Sequence, residues 1–182
     1  GDELISVLAT TGNENVLIAT RGGLAVCFNE EDVRPMGRTA VGVRGIRLKG
    51  DDYVVAAGIA GEDCAVLSIT EKGYGKRTLC SEYSVHGRGG VGLKNYNVTD
   101  KTGPVADMQI VRGDEDVLVI TDDATIIRMS VDRISLLGRA TQGVRVMRLA
   151  EGSRIISMET TEKDSSAEDA AAVETGDETK EE

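Results

Sequence analysis

The chain has 182 residues, a formal net charge of −10, three cysteines, and four Tyr and one Phe but no Trp. That length suffices for one domain with a real core, which must be built from Val, Ile, Leu and Ala, while 22 glycines suit many tight turns. No apolar run is long enough to span a bilayer and no signal peptide is present; Cys27, Cys64 and Cys80, odd in number and without CxxC spacing, read as buried or half-buried free thiols in a reducing cytosol rather than as a metal or redox site.

Gly1-Asp2-Glu3-Leu4-Ile5-Ser6-Val7 at the start matches Gly50-Asp51-Asp52-Tyr53-Val54-Val55-Ala56 further on. Residues 1–8 are therefore expected to be the closing strand of a repeat whose earlier part is missing. With no initiator Met, the chain reads as a piece of a longer array. Next, Val16–Thr20, the Gly22-Gly23 turn and Leu24–Phe28 predict a hairpin. The pattern returns as Ala65–Thr70, Lys72-Gly73-Tyr74-Gly75, Lys76–Leu79, and again as Val117–Thr121, Asp122-Asp123, Ala124–Ser130.

Each hairpin leads into a glycine-arginine loop: Gly37-Arg38-x-x-x-Gly42-Val43-Arg44, Gly87-Arg88-x-x-x-Gly92-Leu93-Lys94 and Gly138-Arg139-x-x-x-Gly143-Val144-Arg145. The repeats start 50 and 51 residues apart. A third strand is expected after each loop (Val43–Lys49, Leu93–Val98, Val144–Leu149), then a fourth (Tyr53–Ala57, Val105–Val111, Ile155–Met158). Four short strands in about 50 residues are the arithmetic of a propeller blade. The expected fold is all-β, with three propeller-like blades of four-stranded antiparallel sheet over about 9–58, 59–112 and 113–158.

The net charge is unevenly divided. Residues 159–182 hold ten acidic residues against Lys163 and Lys180, leaving the first 158 at −2. That segment has almost no large apolar residue and reads as an acidic disordered tail. In the body, the placement of the cations matters more than their sum. A basic residue kept at one blade position becomes a ring of positive charge, suited to the closely spaced phosphates of bent DNA. The candidates are the loop pairs Arg38/Arg44, Arg88/Lys94 and Arg139/Arg145. The following strands add Arg47, Lys49 and Arg148, and the hairpins add Arg21, Lys76, Arg77 and Arg128. Arg77 and Arg128 share a register position that is Cys27 in repeat one, which weakens the expected contact there unless Arg21 compensates.

Any single arginine is more simply a solvated residue or the partner of an acid, but solvation alone gives no reason to repeat the set in register. The glycines read as turn formers with positive φ. The lone His86 reads as a surface residue, and neither a second His nor a Cys pair gives a zinc site. Tyr53, Tyr74, Tyr83 and Tyr96 lack any catalytic signature, and there is no GxSxG elbow and no P-loop.

The stretch Val33-Arg34-Pro35-Met36-Gly37-Arg38 with Gly42-Val43-Arg44-Gly45-Ile46-Arg47-Leu48 closely resembles the C-terminal domain of the A subunit of bacterial DNA gyrase. So do Gly73-Tyr74-Gly75-Lys76-Arg77-Thr78 and Gly138-Arg139-x-Thr141-Gln142-Gly143-Val144. The resemblance implies a β-pinwheel, in which neighbouring blades exchange strands, with these as the last three of about six blades. It further implies a DNA-wrapping module of an ATP-dependent type II topoisomerase that introduces negative supercoils. Catalytic residues, ATP and magnesium would then lie elsewhere in the holoenzyme, which also holds the gyrase B subunit, with a second copy of the A subunit, in the bacterial cytoplasm. The glutamine-arginine-rich signature loop of the family's first blade does not occur; His86-Gly87-Arg88-Gly89-Gly90-Val91-Gly92 only echoes it. The alternatives are the corresponding domain of topoisomerase IV, or a propeller whose basic rim meets acidic protein surfaces.

Overall fold

A computed structural model describes residues 3–164, and over that range the chain is all-β apart from three short 3-10 turns. Repeat one supplies β1 (Asn15–Thr20), β2 (Leu24–Asn29) and β3 (Val54–Ala60). Repeat two supplies β4 (Ala65–Thr70), β5 (Tyr74–Leu79), the two-residue β6 (Leu93–Lys94) and β7 (Val105–Val111). Repeat three supplies β8 (Glu115–Thr121), β9 (Ile126–Ser130), β10 (Val144–Arg145) and β11 (Ile155–Glu162).

The sheets do not follow the repeats. Blade one has the order β3-β1-β2-β6, blade two β7-β4-β5-β10, and blade three β11-β8-β9. The strand after the second and after the third glycine-arginine loop thus leaves its own repeat and pairs with the blade before it, Leu24 opposite Lys94 and Tyr74 opposite Arg145. This is the strand exchange of a β-pinwheel. The edges carrying β3, β7 and β11 pack against one another, β3 on β7 and β7 on β11. The exchanged β6 and β10 lie on the opposite, outer edge.

Burial follows from this stacking. Strand β4 is buried at every position, because blade two is covered on both faces. Val66 joins Leu17, Ala19, Ala56 and Met108 in the core between blades one and two. Leu67 and Ile69 point the other way, onto Val117, Val119, Ile155 and Met158 of blade three. A fully buried Val, Leu or Ile contributes roughly 1.5–3 kcal/mol, so these interfaces are held mainly by aliphatic side chains, with Tyr83 buried among those between blades one and two. The polar positions of β4 are satisfied: Asn95 Nδ2 donates to Ser68 Oγ at 3.1 Å, and Tyr83 Oη donates to Asn95 Oδ1 at 2.5 Å. Across the interface from blade two to blade three, Gln109 Nε2 donates to the Met158 carbonyl and the Met158 N–H to the Asp107 carboxylate. Burial raises Asp107 to about 6 despite the two backbone N–H groups it accepts.

The second glycine of the loop motif is required by the exchange. Gly92 and Gly143 have φ of +84° and +70°, and a Cβ would lie 2.5 Å from the Ala25 carbonyl and 2.6 Å from the Gly75 carbonyl. Gly42 also has a positive φ, +90°, but faces open space.

Three sequence expectations are corrected. Residues 3–8 form no strand: Leu4 and Val7 are about four-fifths exposed, and beside the edge strand β3 the segment offers the Ser6 hydroxyl to the Ala57 carbonyl at 3.5 Å rather than a backbone ladder. Residues 43–49 form no strand either, because their two counterparts pair with a preceding blade and none precedes this segment in the described residues; the counterparts themselves are only two residues long. The body extends beyond 158: β11 continues to Glu162, with Glu159 opposite Leu118 and Glu162 opposite Glu115, since backbone pairing does not require apolar side chains. The rest of the expected acidic tail, residues 165–182, lies outside the described residues.

Candidate nucleic-acid interface

Basic residues of the three repeats fall into two groups, separated by whether their side chains bond backbone carbonyls or carboxylates of the protein. The first group is engaged within the protein. Lys76 is fully buried, and its ammonium donates to the carbonyls of Gly138 at 2.7 Å and Arg139 at 2.6 Å, above the ring of Tyr96. Burial lowers it to about 8, with Glu82 opposing the shift. The sequence makes Lys76 a candidate phosphate contact, and the structure excludes it: the blade two strand uses this residue to clamp the third loop.

The loop arginines of repeats two and three also reach backward. Arg88 donates to the Asp32 carbonyl at 3.0 Å and the Arg44 carbonyl at 3.3 Å, and Arg139 donates to the Lys94 carbonyl at 3.0 Å. Each therefore fixes the backbone that carries the basic residue of the preceding repeat. Arg77 donates to the carbonyls of Ile134 and Asp132, joining blades two and three. Its counterpart Arg128 pairs with Asp116 at 2.7 Å and donates to the Glu162 carbonyl. Arg21 pairs with Glu71 at 2.8 Å and covers the Tyr53 ring. The repeated register of these arginines thus has a structural cause that sequence reasoning did not supply.

Arg38, Arg44, Arg47, Lys49, Lys94, Arg145 and Arg148 form the second group, all exposed. Lys94 and Arg145 sit on the outer-edge strands, and Arg44 holds the same motif position in repeat one. Arg145 Nη2 donates to Tyr74 Oη at 2.8 Å, and that bond pulls the phenol below its ordinary value. Two cations missed by the sequence reading, Lys72 and Lys101, stand beside the same tyrosine. They have no counterpart in register, repeat one having Gly22 and repeat three Asp123 opposite Lys72, so no periodic signal marks them.

Among the described residues no group of His, Cys, Asp and Glu is placed to hold a metal ion, and no helix is long and apolar enough to cross a membrane. Cys27, Cys64 and Cys80 are free and buried in the core between blades one and two, and burial pushes the Cys27 and Cys80 thiols up. His86 is exposed, with its backbone N–H on the Cys27 carbonyl.

The family model described as DNA gyrase C-terminal domain, beta-propeller, matches residues 14–60, 65–112 and 115–162, one match for each repeat. The chain belongs to the DNA gyrase C-terminal domain family. Among its relatives, the DNA gyrase A subunit of Staphylococcus epidermidis is 47% identical over 153 residues, covering 83% of this chain and 17% of the relative. The one from Salmonella typhimurium is 42% identical over 159 residues, 87% and 18% of the two chains. The chain thus spans under a fifth of the length of these curated relatives. A solved gyrase A C-terminal domain superposes with a TM-score of 0.77 at 30% identity, covering 83% of this chain and 52% of that one. The C-terminal domain of a DNA topoisomerase IV superposes with a TM-score of 0.78 at 24% identity, 91% and 52% of the two chains, a likeness of fold.

Proposed function

We propose that this chain is three blades of the DNA-wrapping domain of a gyrase A subunit. It binds duplex DNA along its outer edge and holds it bent for a type II topoisomerase that introduces negative supercoils. The observation that carries this reading is the placement of Arg44, Lys94 and Arg145, one exposed cation per repeat at one motif position. Lys94 and Arg145 stand on the edge opposite the packed β3, β7 and β11. Such a row meets backbone phosphates and reads no bases, so sequence preference arises from DNA bendability. Arg38, Arg47, Lys49 and Arg148, exposed as well, supply further phosphate contacts. Cleavage and ATP hydrolysis with magnesium belong to other parts of the assembly. Its further components are the gyrase B subunit, with a second copy of the A subunit, working on the bacterial chromosome in the cytoplasm.

Relatives at 40–47% identity that are gyrase subunits favour gyrase over topoisomerase IV. A titration of the chain with duplex DNA at several salt concentrations tests the reading. Replacing Arg44, Lys94 and Arg145 together by Ala is expected to lower the slope of log affinity against log salt by roughly 2–3, at about 0.9 for each phosphate no longer neutralised. An unchanged slope would remove these residues from the interface, and a salt-insensitive wild type would favour a protein-binding propeller.

A further inference from the structure

At the outer edge of blade two, a cavity of about 370 Å³ is lined by Lys72, Lys101, Arg145 and Arg148 around Tyr74. It has room for roughly a dozen waters. No carboxylate is among its lining residues. Another surface cavity, by contrast, mixes signs, Arg128, Arg133 and Lys163 sharing it with Asp116, Asp132 and Asp164. Four like charges around one cavity repel one another, so the arrangement favours uptake of an anion.

Its geometry is held by Tyr74, a buried residue of β5 paired across the sheet with Arg145 of the exchanged β10. The Lys101 ammonium stands 5.4 Å and the Arg145 guanidinium 5.3 Å from the centre of the ring, and Arg145 also donates to the phenol oxygen. Lys72 is anchored by one N–H on the Asp100 carbonyl at 2.6 Å, leaving two further N–H groups. All four cations are exposed. Lys72, Tyr74 and Lys101 come from repeat two, Arg145 and Arg148 from repeat three, so strand exchange assembles the site.

We propose that Lys72, Lys101, Arg145 and Arg148 form a phosphate seat around Tyr74, which grips the backbone of duplex DNA as it crosses blade two. The proposal rests on the reading of the chain as a duplex-binding module. It makes blade two an anchor: the matching turn of blade one carries Gly22 beside Asp52, and that of blade three carries Asp123. Tyr74 is a positioning residue, orienting Arg145.

Duplex titration of the full chain across a salt series tests this. Lys72→Met with Lys101→Met lowers the salt slope by about 2. A charge-matched pair away from the cavity, Arg112→Met with Arg133→Met, lowers it by less than 1, and Lys72→Arg with Lys101→Arg keeps it. Tyr74→Phe retains every charge, so it leaves the slope unchanged while weakening binding roughly fivefold. Equal slope losses in the two methionine pairs would overturn the seat in favour of general attraction. A steep wild-type slope that the Lys72/Lys101 pair leaves untouched would overturn the seat and spare the duplex-binding reading. A wild type that does not bind duplex at all sinks both. Unchanged affinity in Tyr74→Phe would overturn the orienting role of the phenol.

Discussion

Lys76 and Arg145 are both basic residues at paired strands of blade two, yet burial gives them opposite roles. Lys76 holds the third loop from inside, and Arg145 projects from the outer edge. The buried charge has a pH signature. Because Lys76 falls to about 8 in the folded chain from an ordinary 10.5, both states keep its proton below about pH 8. Between 8 and 10.5 the unfolded chain binds more protons, so stability rises with pH. Its contribution is present above 10.5 and lost as pH falls through 8. Lys76→Met removes this dependence. The stability of wild type relative to that variant is expected to climb between pH 8 and 10, as read by urea unfolding in parallel, and a constant difference would disprove the buried charge. At pH 7 the variant stays within about 1–2 kcal/mol of wild type, because losing two hydrogen bonds is offset by losing a desolvated charge.

Strand exchange is the event that decides the elements. Segments with the same motif become strand where a preceding blade offers an edge, at β6 and β10, and stay irregular at residues 43–49. The glycine ending each loop separates these cases energetically. Gly143→Ala combines a positive φ with a Cβ inside contact distance of a carbonyl, which nothing short of backbone movement relieves. It is expected to cost more than about 2 kcal/mol. Gly42→Ala meets only the φ penalty, about 1 kcal/mol. Chemical denaturation of the two variants, with equal losses as the outcome that contradicts the account, tests whether the exchanged edge carries the difference.

For the molecule as a whole, charge is segregated along the chain. Residues 165–182 carry seven acidic residues and one lysine. A negative segment lowers the potential that attracts phosphates over a Debye length of about 8–10 Å. Deleting residues 165–182 is expected to raise duplex affinity at low salt, with the gain shrinking as salt rises. Titration of intact and truncated chains at two ionic strengths reads this, and equal affinities at low salt would leave those residues with no part in binding.

The sequence by itself determined the number of repeats, their hairpins and the family, because alternating Val, Ile and Leu bounded by glycine turns encodes each blade locally. It also exposed the acidic end and the periodic cations. The tertiary structure alone decided which of those cations are available. The sequence pattern is the same for Arg38, which is exposed, and Arg88 and Arg139, which hold carbonyls, since that distinction depends on whether a preceding blade offers backbone to grip. Lys76 reads as a rim residue because the stacking that buries it comes from a segment 62 positions away. Lys72 and Lys101 escape the sequence for the converse reason: they repeat in no other blade, and only exchange brings Arg145 and Arg148 of the next repeat beside them. A side chain's solvent exposure is set by neighbours remote in sequence, and periodicity carries no record of them.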